Sequence, residues 1–263
     1  MTDNNIGSVT RERSEGVFLI GLNRVAKRNA FDYNMLADLS SALGEYDRDP
    51  ALRCALVFAH GEHFSAGLDL MELAPKLTGG GLSYPDDGFD PFAASGAIMR
   101  KPLIVAVQGV CFTAGLELML AADIALAAES ARFSQTEVLR GITPSGGASV
   151  RFTRAAGWSD AMRYMLTGDE FSASEALRMR LVSEVVPPAQ LQERALALAQ
   201  NVAKAAPLGV QALLESAHQA QREGEAAALA ALMPRLLGLL KTQDVREGVM
   251  AMMQKRAPAF KGA

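Results

Sequence analysis

The sequence predicts an α/β fold. Short, wholly apolar segments with the length and composition of buried strands recur along the chain, and segments with the apolar spacing of amphipathic helices lie between them. The chain is 263 residues long and 49% hydrophobic, enough to build a substantial core with no help from disulfides or metal.

The clearest strands are residues 17–22, 54–59 and 103–107, each a run of β-branched, aromatic or small apolar side chains. Residues 124–128 read the same way, and 182–186 form a fifth, less regular segment. Residues 34–46 carry Met35, Leu36, Leu39 and Leu43 on one helical stripe, with Asp32 placed as the N-cap. Further helices are expected at 113–122, 159–167 and 174–179, the last capped by Ser172 or Ser174.

Residues 71–98 differ in character. Thr78-Gly79-Gly80-Gly81 and the later Pro85, Asp86, Asp87, Gly88, Asp90 and Pro91 read as a surface loop or lid, closed by a short helix at 92–99. The glycine run opens no apolar helix, so it is not a phosphate loop. From Pro188 onward the chain is helical and alanine-rich, with helices at 190–205, 208–221 and 225–240. The last carries Leu229, Leu232, Leu236, Leu237, Leu239 and Leu240, an apolar surface too broad for a lone outer helix; it is expected to pack on the core or on another subunit. The division is therefore 1–188 for the core and 189–263 for a helical region.

Charge excludes some functions. Lys and Arg number 26 against 29 Asp and Glu, a formal charge of -3, with neither the basic excess nor the basic stripe of a nucleic-acid binder. Cys54 and Cys111 lie in apolar runs and read as buried reduced thiols. Residues 1–16 have no apolar signal core, and the longest apolar stretch, 103–116, is too short to span a bilayer. The expectation is a cytoplasmic protein that touches neither nucleic acid nor membrane.

Glu117 is the only charge between Val110 and Ala122. A carboxylate on an apolar helix is costly unless it is paired, protonated or facing a cavity. It is either a helix-end glutamate reaching solvent or an arginine, or a general acid or base tuned by burial. Glu137 alone is an ordinary carboxylate at a helix start, and its interest depends on meeting Glu117 in space. Ser65-Ala66-Gly67-Leu68-Asp69 follows a strand, and Thr113-Ala114-Gly115 repeats the arrangement. Two such strand–turn–helix elements can converge backbone N–H donors on one oxygen; the plain alternative is a pair of tight turns. His60, His63 and His218 are too scattered for a metal site. His63 to Gly67 half-resembles a nucleophile elbow that lacks its first glycine. The glycine-rich run from Gly141 to Gly147 opens a helix and could line a site, with no lysine following to make it a nucleotide loop.

At this point the chain resembles the crotonase family, the enoyl-CoA hydratase/isomerase superfamily. The resemblance rests on Asn23-Arg24-Val25-Ala26-Lys27-Arg28-Asn29-Ala30-Phe31, on Phe64-Ser65-Ala66-Gly67-Leu68-Asp69-Leu70, and on Lys101-Pro102 with the strand after it. Glu117-Leu118, Ala122-Asp123-Ile124, Leu166-Thr167-Gly168, Leu181-Val182 and Lys255-Arg256-Ala257-Pro258-Ala259-Phe260 extend it along nearly the whole chain.

The resemblance implies a crotonase-like spiral of repeated β-β-α units and a C-terminal helical region that packs across a trimer or a dimer of trimers. It implies an acyl-CoA thioester substrate, with coenzyme A carried on the substrate, no separate cofactor and no metal. By position, Glu117 and Glu137 fall on the hydratases' catalytic glutamates, and Leu68 and Ala114 on the oxyanion donors. The CoA nucleotide is expected along Ala66, Leu68, Asp69, Leu70 and Met71, with Lys27, Arg28 and Lys261 as candidate cations. The implied reaction is hydration of a 2-enoyl-CoA. Double-bond isomerisation, another crotonase reaction and non-catalytic acyl-CoA binding stand as alternatives. Departures from the family pattern are Ala114 in place of glycine, the bulky Leu68, Thr136 for proline, Ser145 for glycine and Val25 for proline.

Overall fold

A computed structural model of the protein describes residues 6–263. The chain opens with a hairpin: β1 (Ser8–Ser14) pairs antiparallel with β2 (Val17–Asn23). Its tip, Glu15 and Gly16, has φ of 48° and 82°, the backbone that matches a tight turn to the strands' right-handed twist. The strands that follow are β3 (Cys54–Ala59), β4 (Leu103–Val107), β5 (Val110–Phe112), β6 (Ile124–Ala128), β7 (Arg132–Ser134), β8 (Phe171–Ser172) and β9 (Glu184–Val186). One sheet has six strands in the order β1-β2-β3-β4-β6-β9, parallel from β2 onward; the other has three in the order β5-β7-β8.

The chain alternates between these sheets. β4 leads through β5 to α3 (Ala114–Ala121), and β6 leads through β7 and the short helical turn Glu137–Arg140 to α4 (Ala148–Ala156). Upstream, β3 is followed by Ser65, bridged to Cys111, and then by α2 (Leu70–Thr78). β2 is followed by Phe31, bridged to Leu68, and then by α1 (Tyr33–Arg48). Each circuit is a β-β-α unit stacked on the next, the spiral that the resemblance implied.

Side chains on the parallel strands alternate strictly. Phe18, Ile20, Leu22, Ala55, Val57, Leu103, Val105 and Val107 enter the main core with α1 and α3. Val17, Leu19, Cys54, Leu56, Ile104, Ala106 and Leu126 point the other way, onto Leu191, Ala195, Ala199 and Ala203 of α7 (Leu191–Ala203). Both faces are buried, which is why these strands read as continuous apolar runs. The remaining helices are α5 (Trp158–Thr167), α6 (Ala173–Arg178), α8 (Pro207–Glu223), α9 (Glu225–Leu239) and α10 (Gln243–Gln254).

The expected caps form. Asp32 accepts from the Met35 amide at 2.8 Å, and Ser172 from that of Glu175 at 3.2 Å. Other expectations are corrected. Residues 92–99 are not a helix: the Asp90 carboxylate accepts from the amides of Phe92, Ala94 and Ser95, and Ala93 has φ +46°. A side chain that binds the local amides itself competes with helix formation. Conversely, the segment read as loop from residue 71 begins inside α2, which buries Leu73 despite Pro75. The polar stretch before Gly16 contains β1, whose Arg11 and Arg13 pair with Asp38, Glu45 and Asp49 around α1.

Candidate active site

Glu117 lies in the first turn of α3 and is 3% exposed. Glu137 opens the turn after β7 and is 8% exposed. Parallel pairing of β5 with β7 brings them together. Phe112 is in register with Ser134, and the Thr113 amide donates to Ser134 O at 2.8 Å. One glutamate therefore lies five residues beyond one strand end and the other three residues beyond its neighbour.

Their surroundings differ. Burial pushes the Glu117 carboxyl up, while the Ala148 and Gly146 backbone and the charge of Arg151 pull it back. The Ala148 amide donates to Glu117 Oε1 at 3.0 Å. Burial raises Glu137 further, to about 7, and the charge of Glu117 pushes it the same way. Gln135 Nε2 donates to Glu137 Oε1 at 3.1 Å. Among the described residues Glu137 Oε2 and Gln135 Oε1 are buried with no hydrogen-bond partner. Buried polar atoms are nearly always satisfied, so a pair of orphans marks a place where another polar group belongs.

The two strand–turn–helix elements also meet. Ser65 and Cys111 form a parallel bridge, and Leu68 and Ala114 each lie three residues beyond it. Gly115 packs against Ser65, and Gly67 against Thr113. Among the described residues, neither the Leu68 nor the Ala114 amide donates a hydrogen bond, whereas Ala66 N, Gly67 N and Asp69 N are all taken. Two free N–H groups in abutting turns are what an oxyanion needs.

A family model described as enoyl-CoA hydratase/isomerase matches residues 12–263. The chain belongs to the enoyl-CoA hydratase/isomerase family. It is 36% identical over 250 residues to the 2,3-dehydroadipyl-CoA hydratase of Escherichia coli (strain K12), covering 95% of this chain and 97% of that one. It is 35% identical over 266 residues to the (E)-benzylidenesuccinyl-CoA hydratase of Thauera aromatica, covering 97% and 99%. Among solved structures, a probable enoyl-CoA hydratase/isomerase from Mycobacterium abscessus superposes with a TM-score of 0.96 at 48% identity, over 97% of this chain and 99% of that one. The enoyl-CoA hydratase of Mycobacterium tuberculosis H37Rv gives 0.88 at 29%, again over 97% and 99%. Members of this crotonase family act on acyl-CoA thioesters.

The candidate substrate-binding segment is stitched to the loop that carries Lys27. Ala66 N donates to Arg28 O at 3.0 Å, and Phe31 N to Gly67 O at 2.8 Å. Lys27 and Arg28 are exposed beside this segment, as is Met71 at the start of α2. Asp69 serves the structure, since its Oδ2 accepts from Arg24 Nη1 at 2.8 Å. Arg24, 6% exposed, also reaches Asp32 at 3.2 Å and Glu72 at 3.9 Å. Lys261 lies elsewhere. Its neighbour Phe260 is held by Arg53 at the start of β3, while Lys27 follows the end of the parallel strand β2. Within one chain these cations stand at opposite ends of the sheet.

The sequence by itself gave Asn29 and Gln135 no individual role. Asn29, at φ 52°, caps the Arg24 amide and donates to His60 O and His63 O; asparagine tolerates this backbone, which was the available signal. Gln135 stands two residues before Glu137, in the irregular link between β7 and the turn Glu137–Arg140, and no periodicity marks it there. The half-matched nucleophile elbow is excluded by geometry: Ser65 is fully buried, donates to Asn29 O and accepts from Gly67 N. Among the described residues no group of three or more His, Cys, Asp or Glu side chains could hold a metal, and no helix is long and apolar enough to cross a membrane.

Proposed function

We propose that the protein is a hydratase that adds water across the 2,3 double bond of a 2-enoyl-CoA. The observation that carries this is the unequal glutamate pair beside two unbonded amides. Glu117, held by the Ala148 N–H, orients a water and takes its proton as the oxygen attacks the β-carbon. The π electrons move to the thioester oxygen, and the Leu68 and Ala114 N–H groups stabilise the resulting enolate. Losing one such donor costs about 3 kcal/mol. Glu137, raised to about 7 by burial and by Glu117, is the group that still carries a proton near neutrality and delivers it to the α-carbon. The proton now on Glu117 then passes back to Glu137, so the pair ends as it began and the product has gained one water.

In this reading coenzyme A arrives on the substrate, its nucleotide along Ala66, Leu68, Asp69, Leu70 and Met71 with Lys27 and Arg28 nearby, and the acid–base chemistry draws on no cofactor or metal. Relatives of similar identity bear hydratase names for different acyl groups. The enoyl thioester is thus the shared element and the acyl chain the variable one. Only Ala228 of α9 is buried in the chain, while Leu229, Leu232, Leu236 and Leu237 are about half exposed. This face serves as a subunit interface in a trimer or dimer of trimers. The buried free thiols fit a reducing cytoplasm.

The test is turnover of crotonyl-CoA and a series of longer 2-enoyl-CoA thioesters. Formation of the 3-hydroxyacyl-CoA supports the reading. Conversion of 3-enoyl to 2-enoyl thioesters without hydration would assign an isomerase instead, and binding without turnover a non-catalytic role.

A further inference from the structure

Glu117 is held by a backbone turn, and that turn is held by an arginine. Gly146 and Gly147 lie between the two side chains: a Cβ on Gly146 would come 2.8 Å from Glu117 Oε2, and one on Gly147 would collide with the Arg151 guanidinium. Gly146 thus lies against the Glu117 carboxylate, and Gly147, whose φ of +99° favours glycine, against the Arg151 guanidinium. Arg151, on α4, is partly buried. Its Nη1 donates to Gly146 O at 2.8 Å and its Nη2 to Ala93 O at 2.6 Å. One planar fork therefore joins two turns that are distant in sequence. The first presents the Ala148 N–H to Glu117 Oε1. The second is the turn that Asp90 closes, in which Ala93 adopts a backbone seldom occupied by residues with a Cβ.

The charges around Glu117 come from each neighbouring element. Arg151 on α4 favours its ionised form, and Asp90 on the 89–99 segment opposes it. Glu137, after β7, interacts repulsively with it, and Arg140 in the same turn draws on Glu137. Arg154, the next basic residue on α4, opposes the charge of Arg151.

We propose that Arg151 is a positioning residue for Glu117: it locks the Gly146–Gly147 turn so that the Ala148 N–H stays on the carboxylate, and it ties that orientation to the turn at Ala93. The inference rests on the reading of Glu117 as the water-activating group. Arg151 itself need touch no substrate. Lysine keeps the charge but not the planar fork, so its donors radiate from one nitrogen and cannot reproduce the two fixed directions in which arginine holds the two carbonyls.

The experiment compares Arg151→Met and Arg151→Lys with wild type by hydration kinetics against pH, and by a carbon-13 titration of the Glu117 carboxyl, which needs no turnover. Arg151→Met is expected to lower kcat about tenfold with KM held within about twofold, and to move both the acid limb of the rate profile and the Glu117 titration to higher pH. Arg151→Lys should return the titration towards wild type while recovering kcat only in part. If Arg151→Met does not fold, Arg151→Lys decides alone: a reduced kcat at unchanged KM supports the role, and wild-type kcat overturns it. A folded Arg151→Met with wild-type kcat and titration overturns it as well. Hydration that survives Glu117→Gln would remove the reading of Glu117 as the water-activating group, yet the carboxyl titration would still show whether Arg151 governs Glu117.

Discussion

The Thr113 hydroxyl occupies the space that a side chain on Gly67 would need. Thr113 has φ +49° and ψ -118°, a strained backbone for a β-branched residue, and Gly67 has φ +96°. The turns bearing the Leu68 and Ala114 amides are thus in contact through this pair. Gly67→Ala is expected to cost at least about 2 kcal/mol. Thr113→Gly should relieve strain and raise stability by about 1 kcal/mol. In the double variant the cost of Gly67→Ala should shrink, a coupling that urea denaturation of the complete cycle measures. If that cost is the same in wild type and in the Thr113→Gly background, the contact does not limit the turn.

The glutamate pair gives the sharpest kinetic expectation. Glu117→Gln and Glu137→Gln should each reduce hydration by at least about 10²-fold, with acyl-CoA binding retained. The double variant should lose little more than the worse single, because the two groups act on one water. Near-normal hydration by Glu117→Gln would overturn the assignment.

Stability should fall as pH rises towards neutrality, and Glu137 is a named source. Its carboxyl is at about 7 in the folded chain against an ordinary 4.5. The folded state therefore holds a proton that the unfolded chain has released. That stabilisation is complete below about pH 4.5 and is lost as pH passes 7, of the order of 3 kcal/mol in all. Glu137→Gln should match wild type near pH 5 and exceed it at pH 8 in denaturant midpoint. An equal difference at both pH values would rule out the raised carboxyl.

Arg24 holds three carboxylates at the base of the candidate substrate segment. Arg24→Met leaves Asp32 and Asp69 buried or half-buried without their partner, so a loss of about 3–5 kcal/mol is expected. Asp69→Asn, which keeps the shape and a hydrogen bond, should cost much less. Thermal melts of the two variants distinguish this hub from a surface pairing, for which both changes would be nearly silent.

Leu232 and Leu236 lie one helical turn apart on α9, each 47% exposed. Leu232→Glu with Leu236→Glu should shift the protein to monomer in sedimentation velocity, since stable subunit interfaces are large and apolar. A variant that sediments like wild type would move the interface off this face.

The sequence by itself determined the parallel strands and α1. There the burial of both sheet faces is written as uninterrupted apolar runs, and the Asp32 cap depends only on residues nearby in sequence. It also marked Glu117, because one charge in an apolar helix is conspicuous without any fold. The short strands β5, β7 and β8 escaped notice because two or three residues carry no periodicity, and their pairing is non-local. Residues 92–99 looked helical by composition, but the Asp90 carboxylate took their amides. Only the tertiary structure decided that Glu137 is a buried acid rather than a solvated one. The β5–β7 register brings Glu117, twenty residues away in sequence, close enough to repel it, α5 packs on its turn, and a titration is set by whatever packs around the group in space.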